Sequence, residues 1–507
     1  MSHPTQVRVA AVDLGATSGR VMAAVIGPDR LDLEEVHRFP NGAVQIGDEL
    51  VWDIVGIHRE VLAGLKKVAA SGPIDGIGID SWAVDYGLLD RDGRLLGNPV
   101  SHRDKRTVGV PAMVYEKVPA EEMYAVTGVQ ELPFNTIFQL AAATDTVALE
   151  SAQTLLLLPD LLGYWLTGEV GAERTNASTT GLYDATARSW AVDLATRVGL
   201  PWSILPPLRS PGEIVGNLTP AIAAELALID RVPVIAVASH DTASAVVGVP
   251  AETDRFAYIS SGTWSLVGLE LQAPVLTEEA RLPGFTNEGG LDETVRFLKN
   301  VMGLWVLSES LRSWEARDAQ VGQVSQGLPD LLSAAADRPA LRTVIDIDDP
   351  RLLVPSTAAD PMPDRILAMA HEAGEPVPES PAEIVRTILD SLALAYRRNV
   401  RLATELAGRE IDMVHIVGGG SQNALLCQLT ADACGLPVLA GPGEAAALGN
   451  ALVQARTLGA ALPDLRAMRA LVRRTHELVR YEPRTGVDWD AAERRLSHRA
   501  DPSRTGA

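Results

Sequence analysis

The sequence predicts an α/β protein in which two domains open with the same supersecondary unit. The first unit is a strand, a short turn and a second strand over residues 7–25, and residues 256–269 form a similar unit. Between them, residues 234–245 begin as an apolar, β-branched run, break at polar residues and continue with small residues suited to a helix. Short apolar runs bounded by turn residues are typical of buried strands, and strands that alternate with helices are typical of α/β folds.

The composition is that of a globular protein with a strong excess of acidic residues. The 507 residues carry a net charge of -21, and 47% of them are hydrophobic. Because an acidic surface repels phosphate, this charge argues against nucleic acid and anionic membrane surfaces as partners. For the same reason, a phosphate-bearing ligand must be held by local backbone N–H groups and a metal ion.

No stretch of the sequence predicts secretion or insertion into a membrane. The residues that follow Met1 lack the apolar core of a signal peptide, and no apolar run reaches the length of about 18 residues typical of a membrane-spanning helix. Cys427 and Cys434 are seven residues apart in one helical pattern, which argues against a structural disulfide and favours a reducing compartment. The scattered histidines make a zinc site improbable.

The first strand–turn–strand unit has the features of a phosphate-binding turn. Gly15 and Gly19 are expected to give the turn its backbone freedom, and residues 16–18 are small enough for amides and hydroxyls to face phosphate oxygens. Asp13 stands at the end of the preceding strand and is suited to hold Mg²⁺ directly or through water. The same pattern also fits an ordinary β-hairpin.

Asp241 is the central candidate for a catalytic side chain. It follows a predicted strand and precedes the predicted helix that begins at Ala243, which is where ligands bind in α/β folds. The positive end of the helix dipole favours an ionised carboxylate there, and an ionised carboxylate can accept a proton from a hydroxyl. The alternative is that Asp241 only caps the helix.

A second candidate region is a predicted strand over residues 77–85 that ends in two carboxylates and a tryptophan. The side chains concerned are Asp80, Trp82 and Asp85. Carboxylates accept protons from hydroxyl groups and an aromatic ring covers apolar C–H faces, so the cluster suits a polyhydroxylated ligand. The alternative is a turn whose acids are satisfied by the protein itself.

Other segments predict the remaining architecture. Residues 155–167 and a segment that begins at 297 and continues through 311 are predicted to be helical, and residues 381–398 form an amphipathic helix that packs in the core. Residues 315–380 are interpreted as a less regular peripheral insertion. Residues 413–423 predict a buried strand, a glycine turn and the start of a helix.

The glycine-rich turns match neither of two common nucleotide-binding motifs. Gly418-Gly419-Gly420 lacks the third glycine of the dinucleotide fingerprint, and no Gly-Lys pair of a P-loop occurs. The turns instead fit a nucleotide site without Walker motifs, in which two hairpins clamp the phosphates and the glycine loop meets the nucleoside. A similar turn over residues 440–444 is interpreted as a plain turn and helix cap.

Six segments together resemble the FGGY carbohydrate kinases of the actin-like ATPase superfamily. These segments are residues 12–20, 79–85, 132–136, 238–245, 261–266 and 415–420. The resemblance covers about the first 460 residues. Residues 37–42 and the segments around Trp82 and Phe134 further resemble the branch of this family that phosphorylates L-rhamnulose.

The resemblance implies two ribonuclease-H-like domains with an interdomain cleft. A sugar-binding domain is expected over residues 1–250, a nucleotide-binding domain over 251–460, and a C-terminal helix and polar tail over 461–507. The implied activity is ATP- and Mg²⁺-dependent phosphorylation of the primary hydroxyl of a ketose, L-rhamnulose, by a cytoplasmic monomer or homodimer. The alternatives are a kinase for another deoxyketose or a pentulose, such as L-fuculose, and a non-catalytic actin-like nucleotide-binding protein.

The resemblance also assigns roles to individual residues. Asp241 would accept the proton of the sugar hydroxyl, and Asp13 would hold Mg²⁺. The expected sugar-binding residues are Ala83, His240, Asp241, Thr242 and Asn300, and the expected ATP-binding residues are Ala16, Thr17, Ser18, Gly19, Arg20, Thr263, Ser308 and Gly419. Ala83 stands where the family usually has glycine, and Ser308 stands where it usually has glutamine.

Overall fold

A computed structural model describes residues 6–229, 231–320 and 322–497, and it confirms the predicted α/β class. The predicted tail over residues 498–507 lies outside the described residues. None of the helices in the described ranges combines the length and apolar character needed to cross a bilayer. The strands are β1 (Val7–Leu14), β2 (Ser18–Gly27), β3 (Arg30–Pro40), β4 (Ala43–Ile46), β5 (Glu49–Trp52), β6 (Gly76–Ser81), β7 (Tyr86–Leu89), β8 (Thr154–Leu157), β9 (Ala172–Glu173), β10 (Tyr183–Asp184), β11 (Ser189–Trp190), β12 (Leu208–Arg209), β13 (Ile214–Asn217), β14 (Pro233–Ile235), β15 (Phe256–Ser261), β16 (Trp264–Leu271), β17 (Thr286–Gly289), β18 (Val295–Met302), β19 (Met413–Val417), β20 (Val438–Ala440) and β21 (Val479–Tyr481). The α-helices are α1 (Ile54–Ala70), α2 (Val110–Tyr115), α3 (Ala120–Thr127), α4 (Thr136–Ala142), α5 (Val147–Ser151), α6 (Leu158–Thr167), α7 (Arg174–Ala177), α8 (Val192–Val198), α9 (Pro220–Glu225), α10 (Asp241–Val247), α11 (Glu278–Arg281), α12 (Trp305–Gln320), α13 (Leu328–Ala336), α14 (Met362–Glu372), α15 (Pro381–Ala407), α16 (Ala424–Cys434), α17 (Ala445–Thr457), α18 (Leu465–Thr475) and α19 (Trp489–Ser497).

The first large sheet has six strands in the order β13, β14, β6, β1, β2, β3. Its central strand β1 pairs antiparallel with β2 and parallel with β6, and β6 pairs parallel with β14. Strand β6 is buried throughout and β1 is buried at all but one position, which explains why both strands read as almost continuous apolar runs. The parallel pairing places the carboxyl ends of β1, β6 and β14 at one edge of the sheet.

The second half of the chain repeats this strand arrangement. Strand β15 pairs antiparallel with β16 and parallel with β19, and β19 pairs parallel with β20. The edge strand β21 pairs antiparallel with β20, as β13 does with β14. The structure therefore confirms that residues 7–25 and 256–269 are equivalent hairpins at the start of two similar sheets.

Contacts within the chain define two compact units. The first unit comprises the chain up to Glu252 together with Glu270–Leu298 and Glu444–Glu477, and the second comprises Thr253–Leu269, Lys299–Gly443 and the chain from Leu478. These units differ from the linear segments 1–250, 251–460 and 461–507 expected from the sequence, because two short segments of the later chain belong to the first unit.

Several helix boundaries differ from the sequence-based expectations. The apolar residues 155–157 pair with β7 as part of strand β8, so the helix begins only at Leu158. Residues 297–302 belong to strand β18, and the helix begins at Trp305. Both differences have the same cause: a short apolar run fits a buried strand as well as a helix, and pairing with a neighbouring strand decides between them. The region interpreted as irregular, residues 315–380, contains helices α13 and α14.

Helices α10 and α17 pack with their backbones in close contact. A Cβ atom built on Gly449 of α17 would lie 1.8 Å from the carbonyl oxygen of Ser244 in α10. At the end of α10, a Cβ on Gly248 would lie 2.6 Å from the carbonyl oxygen of Ala445. Since backbone cannot move aside as a side chain can, these glycines are required for α10 to keep its position.

We expect Gly449→Ala to destabilise the protein strongly. The added methyl group meets backbone rather than a flexible side chain, so the free energy of unfolding should fall by about 2 kcal/mol or more, within the range for overpacked cores. Gly163→Ala in α6 is the matched control, because a Cβ there meets no atom within 4 Å. Denaturant unfolding should show a lower midpoint for Gly449→Ala and an unchanged or higher midpoint for Gly163→Ala. Equal midpoints for the two variants would contradict this account of the α10–α17 contact.

Candidate active site

Three acidic residues follow or end the parallel strands of the first sheet. Asp13 near the end of β1 is the register partner of Asp80 in β6. The N–H group of Ser81 donates to the carbonyl oxygen of Ser239 at 2.9 Å, which ties β6 to the segment that leads into Asp241. Because ligands of open α/β sheets bind at the carboxyl ends of the strands, this edge is the candidate active site.

A buried carboxylate fixes the turn before Asp241. Glu173 is 1% exposed, and it accepts hydrogen bonds from the N–H group and the hydroxyl of Ser239 at 2.9 and 2.8 Å. On the helix side, the hydroxyl of Ser244 donates to the carbonyl oxygen of Ala238 at 2.7 Å. The backbone around Asp241 is therefore held by hydrogen bonds on both sides. No local pattern in the sequence indicates this role of Glu173.

Asp241 is the first residue of α10, but its side chain does not cap the helix. His240 occupies the N-cap position, and its side chain accepts no hydrogen bond from the first turn. The carboxylate of Asp241 accepts a hydrogen bond from the hydroxyl of Thr242 at 3.0 Å and is 32% exposed. The geometry therefore does not favour the interpretation of Asp241 as a helix cap, and it leaves the carboxylate accessible to a hydroxyl group.

Asp13 belongs to a cluster in which negative charge exceeds positive charge. Arg20 pairs with Asp13 at 2.7 Å between Nη2 and Oδ2, and its other terminal nitrogen pairs with Glu444. The pKa of Asp13 is raised to about 6, mainly by burial, with a further contribution from the carboxylates of Asp241 and Glu444 and an opposing one from Arg20. The sequence suggested that residues 440–444 form only a turn and a helix cap. The side chain of Glu444 does not cap the helix, and it belongs instead to the charged cluster around Asp13.

Asp80 is completely buried, and only one of its two carboxylate oxygens has a hydrogen-bond partner among the described residues. Its Oδ2 accepts a hydrogen bond from Nδ2 of Asn450 at 2.6 Å, while its Oδ1 has no hydrogen-bond partner among the described residues. Burial and the neighbouring carboxylate of Asp13 raise the pKa of Asp80 well above its usual value. Asn450 also accepts a hydrogen bond from Gln454 at 2.7 Å. The spacing of four residues places Asn450 and Gln454 on one face of α17, but it does not indicate Asp80 as their partner.

The donor atoms at this edge fit a magnesium ion that is shared with a phosphate ligand. Asp13 and Asp80 supply carboxylate oxygens, which Mg²⁺ prefers, and the unpaired Oδ1 of Asp80 shows that the polar groups are not fully satisfied by the protein. Within the described ranges, no three His, Cys, Asp or Glu side chains are grouped to hold a metal ion. Mg²⁺ often keeps several waters and takes only one or two carboxylates plus phosphate oxygens.

The turn between β1 and β2 presents its small residues to solvent. Residues 16–18 are partly or fully exposed, and the N–H group of Gly15 closes the turn with a hydrogen bond of 2.9 Å to the carbonyl oxygen of Ser18. The expectation that Gly15 and Gly19 give the turn its backbone freedom finds no support in a left-handed conformation, since neither glycine has a positive φ. A Cβ on Gly19 would lie 2.2 Å from the ring of Phe39, so this glycine makes room for the aromatic side chain.

Ala83 lies next to a strained residue at the end of β6. Val84 has a φ of 68°, which is unusual for a β-branched side chain. Its carbonyl oxygen accepts hydrogen bonds from the hydroxyl of Thr136 at 2.7 Å and from Gln139 at 3.3 Å, which hold the strained backbone in place. Strain of this kind often occurs at functional sites, where the surrounding structure keeps a side chain in an otherwise unfavourable position.

Asp85 is satisfied by the protein and is not open to a ligand. It is buried, and its carboxylate accepts hydrogen bonds from the indole N–H groups of Trp52 and Trp82 at 2.7 and 2.9 Å. His102 Nδ1 lies 2.7 Å from the same carboxylate. Although burial acts to raise the pKa of Asp85, His102 and the indoles hold it below its usual value. For this residue the geometry fits the alternative interpretation, a turn whose acid is satisfied internally.

In the second unit, the turn between β15 and β16 is fixed to the start of α12. The N–H groups of Leu304 and Trp305 donate to the carbonyl oxygens of Gly262 and Thr263 at 3.0 and 3.2 Å. The side chains of Thr263 and Ser308 are both exposed. The start of α12 therefore fixes the turn that carries Thr263, and Ser308 lies in the same helix.

The glycine run after β19 separates a packed face from an open face. Gly418 has a φ of 80°, and a Cβ on Gly420 would lie 2.0 Å from the hydroxyl oxygen of Ser261. By contrast, a Cβ on Gly419 would meet no atom within 4 Å, so the backbone there is open to a ligand.

Asn300 lies on strand β18 and is partly buried, although the sequence predicted a helix at this position.

The candidate residues thus fall into two sets, one in each unit. The first unit holds Asp13, residues 16–20, Ala83 and residues 240–242, and the second holds Thr263, Asn300, Ser308 and Gly419. The structure adds buried polar side chains that the sequence analysis did not single out. These are Glu173, Glu288, Arg296 and Asn450, and the partly exposed Glu444 joins them through its ion pair with Arg20.

Comparison with known structures supports the fold. Gluconate kinase from Lactobacillus acidophilus matches 97% of this chain and 96% of its own with a TM-score of 0.77 at 14% identity. The structure described as Plasmodium falciparum glycerol kinase with ADP matches with a TM-score of 0.76 at 15% identity, over 97% of this chain and 96% of its own. At such low identity these similarities establish the shared architecture alone.

Comparison of sequences identifies the family. A curated protein from Bacteroides thetaiotaomicron named Rhamnulokinase is 42% identical over 489 residues, which is 95% of this chain and 97% of that protein. A protein of the same name from Pectobacterium atrosepticum is 43% identical over 499 residues, 97% of each chain. The family models for the N-terminal and C-terminal domains of the FGGY family of carbohydrate kinases match residues 9–248 and 257–458. This chain is therefore an enzyme that belongs to the FGGY family of carbohydrate kinases.

Proposed function

We propose that the enzyme transfers a phosphoryl group from ATP to the primary hydroxyl of a ketose, and that the ketose is L-rhamnulose. The observation that carries the reaction type is the partly exposed carboxylate of Asp241, which begins a helix without capping it. The relatives named Rhamnulokinase support the choice of sugar, because they match almost the whole chain at 42 to 43% identity.

The proposed mechanism relies on positioning and on charge rather than on covalent catalysis. Asp241 accepts the proton of the ketose hydroxyl as the oxygen attacks the terminal phosphorus atom of ATP, and the bond from that phosphorus to the bridging oxygen breaks to release ADP. The fixed turn before Asp241 matters because a general base must lie within hydrogen-bond reach of the proton that it takes. Glu173 supplies this rigidity through its hydrogen bonds to Ser239.

Asp13 is the proposed magnesium ligand of the first unit. Mg²⁺, when bound, neutralises charge on the phosphate oxygens during transfer. Asp13 is suited to this role because its neighbourhood contains several carboxylates and one arginine, so that a divalent cation relieves repulsion there. Arg20 keeps the Asp13 carboxylate in a fixed orientation through the contact of 2.7 Å.

The remaining candidate residues are proposed to bind the two substrates. Ala83, His240, Thr242 and Asn300 are assigned to the ketose, and residues 16–20, Thr263, Ser308 and Gly419 are assigned to ATP. The assignment is supported by the exposure of the two turns and by the open face of Gly419. We propose that residues 1–250 form mainly a sugar-binding domain and residues 251–460 mainly a nucleotide-binding domain. Residues 16–20 and Asn300 are the exceptions to this division.

The cellular setting is part of the proposal. We infer a cytoplasmic enzyme that acts as a monomer or homodimer on small molecules, and we expect no binding of nucleic acid. The net charge of -21 and the two free cysteines, Cys427 and Cys434, support this inference.

Asp241→Asn should abolish most turnover while leaving ATP binding intact. An amide cannot accept the hydroxyl proton, so kcat should fall about 100-fold or more, within the range for loss of a general base. Asp193→Asn is the matched control, because Asp193 is an exposed acid in the first turn of α8. Ketose-dependent ADP release and binding of a fluorescent ATP analogue measure the two properties. Near-normal turnover of Asp241→Asn would contradict the assignment of the base.

The choice of sugar is tested by ADP release with L-rhamnulose, L-fuculose, L-ribulose, D-xylulose and glycerol. We expect the highest kcat/KM with L-rhamnulose, because the segments around Trp82 and Phe134 resemble the branch that uses this sugar. A preference for another ketose would support the proposed reaction type and contradict the assignment of L-rhamnulose as the substrate. No sugar-dependent turnover with any of the five would contradict the proposed function itself.

The magnesium requirement should depend on pH through Asp13. Because the pKa of Asp13 is raised to about 6, lowering the pH through this value protonates the carboxylate and removes a metal ligand. The Mg²⁺ concentration needed for half-maximal activity should therefore increase several-fold between about pH 7.5 and about pH 5.5. Asp13→Asn should need high Mg²⁺ at both pH values. An unchanged Mg²⁺ requirement in the unmodified enzyme would contradict the role of Asp13.

A further inference from the structure

A buried arginine and a buried glutamate contact the histidine that precedes Asp241. His240 is 7% exposed, Glu288 is 6% exposed and Arg296 is completely buried. Glu288 and Arg296 are cross-strand partners in the hairpin of β17 and β18. All of these residues belong to the first unit. Arginine is almost never fully buried unless it is paired, so this arrangement requires an explanation.

The two nitrogen atoms of the His240 ring face different neighbours. Nδ1 lies 3.0 Å from Nη2 of Arg296 and 3.2 Å from Oε2 of Glu288. Nε2 lies 3.5 Å from Oδ1 of Asp241. The ring is therefore a link between the buried pair on one side and the proposed base on the other.

Two groups compete for Nδ1, and the shorter contact, with Arg296 at 3.0 Å rather than with Glu288 at 3.2 Å, favours a lone pair on Nδ1. A guanidinium group has five donors and no acceptor, so a hydrogen bond from Arg296 to Nδ1 requires a lone pair on Nδ1. A neutral imidazole with a lone pair on Nδ1 carries its proton on Nε2. That N–H group is directed towards the side of the ring where Asp241 lies.

Glu288 allows the arginine to remain charged in the interior. Its Oε2 lies 2.9 Å from Nη2 of Arg296, and Nε of Arg296 donates to the carbonyl oxygen of Gly289 at 2.9 Å. Although burial acts to raise the pKa of Glu288, the charge of Arg296 opposes it most strongly, and the pKa lies below its usual value. The carboxylate is thus ionised and balances the guanidinium, which avoids an uncompensated buried charge.

We propose that Arg296, with Glu288 as its counter-ion, is a positioning residue that holds His240 as the Nε2–H tautomer beside Asp241. The inference rests on the proposed function for its catalytic meaning. In this tautomer, His240 donates a hydrogen bond to an oxygen of the ketose and cannot accept the hydroxyl proton itself. Asp241 is then the only base at this position, and the sugar is recognised through an acceptor oxygen that faces His240.

The tautomer can be measured directly by ¹⁵N NMR on protein labelled at histidine, with the His240 signals identified by their loss in His240→Gln. The unmodified protein at neutral pH should show a protonated Nε2 and a lone pair on Nδ1. Arg296→Met removes the competing cation and leaves the carboxylate of Glu288 beside Nδ1, so the proton should move to Nδ1. A protonated Nδ1 in the unmodified protein, or an unchanged tautomer in Arg296→Met, would overturn the proposal.

Arg469→Met is the matched control for loss of a buried arginine. Arg469 is 6% exposed, lies in the same unit and pairs with Glu270 at 2.8 Å. This variant should lose comparable stability without a change in the His240 tautomer. If Arg296→Met does not fold, Arg296→Lys, which retains a buried cation, should fold. A protonated Nε2 in Arg296→Lys would support the proposal, and a protonated Nδ1 would contradict it.

Kinetic measurements separate this proposal from the proposed function. Arg296→Met should raise KM for the ketose about tenfold through the lost hydrogen bond and leave KM for ATP unchanged, while Arg469→Met should change neither. A rise in both KM values would show a general structural defect and contradict a positioning role. The tautomer does not depend on turnover, so an enzyme that phosphorylates no ketose would reject the proposed function and still give the NMR result.

Discussion

The candidate active site depends on the parallel pairing of β1, β6 and β14. This pairing aligns Asp13 with Asp80 and ties the segment before Asp241 to the end of β6 through the hydrogen bond from Ser81 to Ser239. Without this register, the carboxylates would lie far apart, since they are separated by about 65 and 160 residues of chain. The polar edge is stable because the rest of these strands is buried and apolar, so the register cannot slip without moving charges into the core.

The site also depends on charged and polar side chains that are buried. Glu173 fixes the turn, Asp80 and Asn450 support the end of β6, and Glu288 balances Arg296 behind His240. Each buried charge is costly unless hydrogen bonds or an opposite charge compensate for it. Among the described residues, Oδ1 of Asp80 has no hydrogen-bond partner. A cation bound next to Asp13 would compensate for this oxygen, which supports the assignment of a magnesium site there.

Much of this arrangement could be predicted from the sequence. The strand and helix around Asp241, the repeated hairpins and the glycine turn after β19 follow from local patterns of apolar, small and glycine residues, and the structure confirms them. The strand that carries Asn300 was predicted as a helix, because an apolar run of this length does not distinguish the two and strand pairing is a long-range property.

Contacts between distant residues could not be predicted. Glu444 is 424 positions from Arg20 and Asn450 is 370 positions from Asp80, so no local pattern indicates that they meet. The need for glycine at position 19 could not be predicted either, because the ring of Phe39, for which it leaves room, lies on another strand. The availability of an acid depends on such partners as well: Asp85 looks like a ligand-binding residue in the sequence, yet the donors that surround it leave no accessible oxygen.

The most direct test of the account is a crystal structure of the enzyme with L-rhamnulose, Mg²⁺ and a non-hydrolysable ATP analogue. The account predicts the primary hydroxyl of the sugar within about 2.6 to 3.2 Å of the Asp241 carboxylate, the distance that proton transfer requires. It also predicts that Mg²⁺ is held by Asp13, directly or through water. A sugar bound away from Asp241, or a metal ion with no contact to Asp13 even through water, would contradict the central claim that this edge of the first sheet is the phosphoryl-transfer site.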